Sequence, residues 1–318
     1  MNKIKWNHSL DKNVRSCRRK AFYTGRFACH QAKNGSLRRE VYLLKQAIDV
    51  PLWRGNIVHF TIQECVLPQL KDGTEPDFSA AKKWALDLVD RQVAFSKTER
   101  YRKTSKTLSK YEFCVLKADF SGGGISQDEI NEVKSGIETA LNNLENNFFD
   151  LLIRAGSSKK IEIEKELHFS IDDYIQVDAK IDFLFFEQNG QVFVIDWKAG
   201  EGFNGNAREQ LHAYAYAIIK CGYWQNISCE KIVLVEANLM SGERTIYPIT
   251  EDDLFDVDDR IFIGSQLLKP VFEKPVEKLA AEDFESANSV GACEWCAVKE
   301  ICNGNLSKTS AAAPTLPF

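Results

Sequence analysis

Two runs of β-branched and aromatic residues, Ile175 to Phe186 and Val192 to Lys198, flank the turn-forming Gln188-Asn189-Gly190. Such runs, bounded by turn residues, form a β-hairpin. Charged side chains interrupt the apolar pattern, among them Asp182 in the first run and Asp196 and Lys198 in the second. In an antiparallel pair the numbers of opposed residues have a constant sum, so Asp182 faces Asp196 only if that sum is 378, the total of 182 and 196. A two-residue Asn-Gly loop sets 379 and sends the carboxylates to opposite faces. A three- or five-residue loop restores even register, most simply Gln188 to Gly190 with Gly190 at positive φ. The carboxylates then lie about 5 Å apart at Cβ, and Lys198, two residues on, shares their face.

Two carboxylates that close repel, and without a cation one of them must take up a proton at neutral pH. A divalent cation removes the conflict, and Mg²⁺ or Mn²⁺ suits an all-oxygen site with positions left for water and phosphate. Lys198 adds a fixed positive charge at the same point. This is the chemistry of metal-dependent phosphodiester cleavage. A structural Asp–Lys pair at a strand end is the competing account of an isolated D-x-K, and context must decide.

The chain has 318 residues, 44% of them apolar and 11% aromatic, as expected of a soluble globular protein of one large or two smaller domains. No long apolar run suggests a membrane span, and the N-terminal MNKIKWNHSL lacks a signal-peptide core, so a cytoplasmic location is expected. Nine cysteines, an odd number, fit free thiols or metal ligands better than a disulfide framework in a reducing compartment. Net charge is −4, but residues 1–60 carry 13 Lys/Arg against Asp11, Glu40 and Asp49, a local +10. Arg15 to Arg26, with Phe22 and Tyr23 among the cations, and Ser96 to Lys110 can each track a phosphate backbone or form a solvated basic face.

Periodicity predicts a helix over 51–67 that opens on Pro51 and ends at Pro68, helices over 79–117 and 127–155 split by SGGGIS, and strands over 160–170, 174–186, 192–198, 231–237 and 244–249 with a helix over 207–220. A hairpin followed by a helical crossover implies a mixed α/β sheet. The corresponding segments are a basic N-terminal stretch (1–50), a motif helix (51–68), an inserted helical subdomain (69–155), the core (156–268), a cysteine segment (269–302) and a flexible tail (303–318). Cys293, Cys296 and Cys302 need a fourth ligand for either an iron–sulfur cluster or tetrahedral zinc. Cys17 is the candidate, and its pairing with the triplet clamps the two ends of the chain together. Spacing does not choose between iron–sulfur and zinc, and an unliganded C-x-x-C stays open.

In order along the chain, Arg54-Gly55-Asn56-Ile57-Val58-His59 resembles a G-x-x-x-H motif, Ala179-Lys180-Ile181-Asp182 and Asp196-Trp197-Lys198-Ala199-Gly200 resemble the two halves of a PD-(D/E)XK signature, and Gln210 to Tyr214 resembles Q-x-x-x-Y. Together with Ser9 to Tyr23 and the C-x-x-C-x-x-x-x-x-C at 293–302, they are similar to the RecB-type PD-(D/E)XK nucleases of the iron–sulfur branch, which includes AddB-like and CRISPR-associated exonucleases. The resemblance implies a restriction-endonuclease-like mixed sheet flanked by helices, with His59, Asp182 and Asp196 on Mg²⁺ or Mn²⁺. Lys198 would serve the attacking water, and Gln210 and Tyr214 would present an amide and a hydroxyl to DNA or to that lysine. It further implies a [4Fe-4S] cluster on Cys17, Cys293, Cys296 and Cys302, and DNA contacts from Arg18, Arg19, Lys20, Tyr23 and Arg54. Gly55 would let its helix approach the sheet, and Glu164 or Glu166 could add a carboxylate. Ala179, Trp197, Ala199 and Arg18 depart from the usual motif residues without removing a ligand or the lysine. The implied activity is a deoxyribonuclease on DNA ends or single strands, working beside a helicase or an integrase. The alternative is a catalytically silent DNA-binding subunit with the cluster as a staple.

Overall fold

The computed structural model describes residues 3–303 except 105, 201–206, 225–226, 288–289 and 295. The tail expected over 303–318 therefore lies, beyond Asn303, outside the described residues. Strand β1 (Ile4–Trp6) leads into helices α1 (His8–Ser16) and α2 (Arg18–Phe22), then α3 (Leu37–Gln46), the short β2 (Ala47–Ile48) and α4 (Val50–Thr61). Asp49 caps α4 by accepting from the Leu52 amide at 3.1 Å, with Pro51 in the first turn as its missing N–H allows. The chain does not stop at Pro68. A π-helical turn over Ile62–Val66 resets the hydrogen bonding, so Pro68 falls in the first turn of α5 (Leu67–Lys71), where no donor is needed.

The long helix expected over 79–117 is shorter and broken. Helix α6 (Phe78–Lys97) is followed by Glu99, which takes the left-handed φ of 50°, and then by α7 (Lys106–Ser109), β3 (Val115–Leu116) and α8 (Lys117–Phe120). Helix α9 (Gln127–Asn147) begins on a Ser126–Glu129 capping box and runs into α10 (Phe149–Gly156). Helices α4, α6, α9 and α10 share one continuous hydrophobic core with Phe183, Phe185, Phe193, Ile195 and Trp197 of the sheet. Residues 69–155 thus supply one cover of the sheet.

The sheet contains β1, β4 (Lys160–Ile171), β5 (Ile175–Phe186), β6 (Val192–Lys198), β7 (Ile232–Asn238) and β8 (Glu243–Tyr247). Strand β5 is antiparallel to β4 along its length. On its other edge it pairs first with β1 in parallel and then with β6 in antiparallel fashion. Strands β6 and β7 are parallel, joined through α11 (Ala207–Lys220), and β8 closes the far edge. Helix α11 covers the face opposite α4, packing on Leu184, Val194 and Leu234. Helix α12 (Glu251–Phe272) packs with α1 and β1 at one end of the sheet, and the short α13 (Val290–Glu294) and α14 (Lys299–Cys302) complete the described chain. No helix among the described residues is long and apolar enough to cross a membrane.

The β5–β6 hairpin has the expected parity. Phe183 faces Ile195 and Phe186 faces Val192, a constant sum of 378. The closing pair is Glu187 and Gln191, whose amide–carbonyl bond is 2.9 Å, and Gly190 at φ 86° donates to Glu187 O at 3.1 Å. The loop is therefore Gln188 to Gly190, and only glycine meets its left-handed corner without cost.

Where α12 crosses α1, Asp11 is fully buried and accepts from Arg15 Nε at 2.9 Å and Arg260 Nε at 2.8 Å. A Cβ on Gly264 would stand 2.1 Å from Asp11 Oδ1 and 2.8 Å from Trp6 Nε1. The two guanidinium groups hold that carboxylate, so it cannot swing away. Gly264→Ala is expected to destabilise the protein by about 1–3 kcal/mol, overpacking outweighing the better helix propensity. A urea unfolding midpoint at or above that of the wild type would contradict this.

Candidate active site

Glu164, Asp182, Asp196 and Glu236 occupy successive strands in one cross-strand row. Numbering sums place Glu164 opposite Asp182 between the paired Ile163–Phe183 and Lys165–Ile181, and Asp196 is in register with Glu236. At Glu164 and Asp182 the β4–β5 ladder skips a pair, and Glu164 takes φ 51°. Left-handed backbone in a non-glycine strand residue is strained and concentrates at functional sites. The break also changes which face the chain presents. Ile181 packs on the α11 side of the sheet, whereas Phe183, two residues on, packs on the α4 side. Asp182 sits at that crossover.

Helix α4 brings His59 to the same point. Its Nε2 lies 2.8 Å from Trp197 O, and its Nδ1 lies 3.6 Å from Asp182 Oδ2. A carbonyl only accepts, so Nε2 carries the proton, and in the neutral ring Nδ1 presents its lone pair toward Asp182. The Trp197 amide donates to Asp182 Oδ2 at 3.3 Å. One buried tryptophan backbone unit therefore orients both side chains, while its ring stacks on Phe183 in the core.

Ligand atoms of His59, Glu164 and Asp182 all lie within 4.8 Å of one another. Asp196, expected as the third ligand, is outside that trio. It is 1% exposed, with Oδ2 2.5 Å from Lys198 Nζ. Lys198 also donates to Gln210 Oε1 at 3.2 Å, and Gln210 Nε2 to Tyr214 OH at 2.6 Å. Gln210 thus meets the lysine directly, and Tyr214 meets it only through Gln210. The i,i+4 spacing on α11 makes the relay.

Burial pushes the Asp182 carboxyl up, opposed by His59 and reinforced by Glu164. Burial likewise raises Asp196 to about 6 against the pull of Lys198. Tyr214 is raised by burial and by both aspartates, so it stays a neutral hydroxyl. Asp182 and Asp196, whose ionised forms burial disfavours, stand with Glu164 and the His59 imidazole as a donor set that a hard divalent cation relieves. The residues fit such an ion.

Glu164 was one of two open choices in the sequence. Its ladder break selects it over Glu166, which pairs regularly with Lys180. Glu236 was missed, although a lone acid inside the apolar run VLVEAN was a signal. It is buried and accepts from Tyr247 OH at 2.5 Å, which together with burial pushes that phenol up to about 12. Gly55 needs correction too. A Cβ there would meet only Ala199 Cβ at 4.0 Å, ordinary contact, so alanine would fit between helix and sheet.

Several expected DNA contacts are committed elsewhere. Arg54 is 1% exposed, directed at Ala199 O at 3.4 Å, and packs over Gly136. Tyr23 is buried among Phe22 and Phe27, so its ring is closed to base stacking. Arg19 donates to Phe284 O at 3.1 Å and approaches Cys302 Sγ at 3.7 Å, which staples the chain ends. Arg18 lies 3.6 Å from Glu285, and Lys20 is partly exposed.

Cys17 and Cys293 lie near Cys296 beside that staple, which Cys302 joins through Arg19. Cys17 caps α2 by accepting from the Lys20 amide at 3.3 Å. Burial raises the Cys296 thiol, which feels Lys20, Cys17 and Cys293 nearby, and Cys296 and Cys302 pack against the core containing Phe22 and Phe284. All four are free thiols. Among the described residues, no three of them come within 4.8 Å of one another.

A model of the PD-(D/E)XK nuclease superfamily matches residues 8–303 of this sequence. No curated protein matches it. Among solved structures, the crystal structure of SSO0001 is similar at 16% identity, over 68% of this chain and 85% of that one, with a TM-score of 0.30. A likeness that distant carries no argument.

Proposed function

The chain belongs to the PD-(D/E)XK nuclease superfamily, and from that premise we propose that it is a Mg²⁺- or Mn²⁺-dependent deoxyribonuclease acting on DNA ends or single strands. One observation carries this: the His59, Glu164 and Asp182 trio stands beside the ion-paired Asp196 and Lys198. Asp182 and Glu164 would hold the cation through oxygen and His59 through Nδ1, with Asp196 as a further carboxylate. Such an ion, when bound, acidifies a water and offsets charge on the phosphate. Lys198, held between Asp196 and Gln210, is placed to orient the attacking water and to meet the negative charge that develops on phosphate oxygen. Gln210 and Tyr214 fix the lysine's direction and bring no competing charge.

The iron–sulfur branch belongs to the same proposal. It is supported by the family resemblance and by the meeting of Cys17 with the Cys293 to Cys302 segment at the Arg19 staple. A [4Fe-4S] cluster there would tie the N-terminal helices to the C-terminal segment.

Protein purified without oxygen tests both parts. End-labelled and circular DNA, single- and double-stranded, should survive in EDTA and be cut after Mg²⁺ or Mn²⁺ is added, circles being spared. Cleavage in EDTA, or none with either metal, would overturn the nuclease assignment, and cut circles the end dependence. A colourless, zinc-loaded preparation would overturn the cluster.

A further inference from the structure

We propose that a cavity of about 360 Å³ behind α4 receives one nucleotide of a single nucleic-acid strand, next to the phosphate at the active site. This rests on the nuclease assignment and adds its substrate class. Lys45, Asn56, Phe60, Lys106, Lys110 and Tyr111 line the cavity, none of the described lining side chains is acidic, and the Tyr111 hydroxyl donates to Glu64. Three lysines with no carboxylate among the described lining residues attract an anion, the Lys45 ammonium donating to Thr24 O at 2.7 Å. The rings of Phe60 and Tyr111 lie 5.0 Å apart between centroids, so an aromatic wall faces the cations. Ammonium groups for the phosphate and rings for the base are how proteins hold unpaired strands.

The position ties the cavity to the reaction centre. Phe60 follows His59 on α4. Lys45 lines this cavity and also a larger cleft of about 620 Å³ whose wall includes Lys180, Gln210 and Tyr214. Lys180 is ion-paired with Glu164. Lys180, Lys45 and Lys106 thus lie near one another between the carboxylate trio and the aromatic wall, in a cleft that Glu166 and Asp178 also line. Lys106 is exposed as a residue, yet its ammonium is desolvated at the cavity and repelled by Lys45 and Lys180, all of which lower its pKa. A neighbouring phosphate would relieve that repulsion. The volume suits one nucleotide, and paired bases in a duplex could not turn a face toward Phe60 and Tyr111.

Fluorescence anisotropy of the full chain in EDTA, with a labelled oligothymidylate and a duplex of equal length, tests this without any cleavage. The double variant Lys45→Gln/Lys106→Gln should bind the single strand about tenfold or more weakly, with the log–log salt slope smaller by about 1.4 for two lost phosphate contacts. Phe60→Leu should weaken it about tenfold through lost stacking and leave the salt slope unchanged. Duplex binding should change little in either. Lys106→Gln alone, on an exposed residue, keeps the test valid if Lys45 disturbs folding, and it should lower the slope by about half as much. Unchanged single-strand affinity, an equal loss on duplex, or no binding by the wild type would overturn the proposal. A wild type that binds in this way yet hydrolyses no DNA with either metal would instead remove the nuclease assignment alone.

Discussion

Asp182→Ala is expected to lower metal-dependent DNA cleavage by about 10³-fold or more, since a ligand of the ion supplies several kcal/mol of transition-state stabilisation. Asp182 lies in the cation-binding trio, is oriented by the Trp197 amide, and faces His59 Nδ1. Its removal also frees the metal-free fold of a carboxylate that burial disfavours. The variant should therefore stay folded in EDTA while losing the rise in melting temperature that Mn²⁺ gives the wild type through binding to the native state. Calorimetry with and without Mn²⁺, alongside the cleavage assay, reads both effects. Wild-type cleavage, or an undiminished metal-induced shift, would remove Asp182 from the site.

Lys198→Ala should cost about 10²–10³-fold in turnover, the range seen when one preorganised donor to developing charge is lost. Two losses combine. The fixed cation disappears, and burial of Asp196 loses its main opposition, so that carboxyl holds its proton more firmly and serves a cation poorly. Lys198→Arg keeps the charge but exchanges a compact ammonium for a planar fork, and it should recover part of the rate. Gln210→Ala should lower turnover less than Lys198→Ala, because the Asp196 ion pair still holds the lysine on one side. Single-turnover rates at saturating Mg²⁺ separate these variants, and equal activity of Lys198→Ala and wild type would leave the lysine without a catalytic part.

Asp182 and Asp196 were legible because strand geometry has parity. Once Gln188-Asn189-Gly190 is read as a three-residue loop, a constant sum of 378 follows for every pair of the hairpin. Gln210 and Tyr214 were legible for the same kind of reason, since i and i+4 share a helix face whatever the surroundings. Arg54 and Tyr23 were misjudged because residue type does not report burial. An arginine in a basic stretch and one directed at Ala199 O look alike until Gly136 on α9 is packed against it. The break in the predicted 79–117 helix turns on one left-handed residue, Glu99, which no propensity singles out.

By itself, the sequence determined which side chains share a strand face or a helix face, because those relations follow from backbone periods of 2 and 3.6 residues. It thereby determined the hairpin and the parity its register must have if Asp182 is to face Asp196; the three-residue loop itself is seen only in the structure. Only the tertiary structure decided which carboxylates converge with the histidine. Glu164 joins His59 and Asp182 because the β4–β5 ladder breaks at that pair, while Asp196 is drawn to Lys198 instead. Distances between segments 100 residues apart in sequence depend on how helices and strands pack, and local periodicity does not encode them.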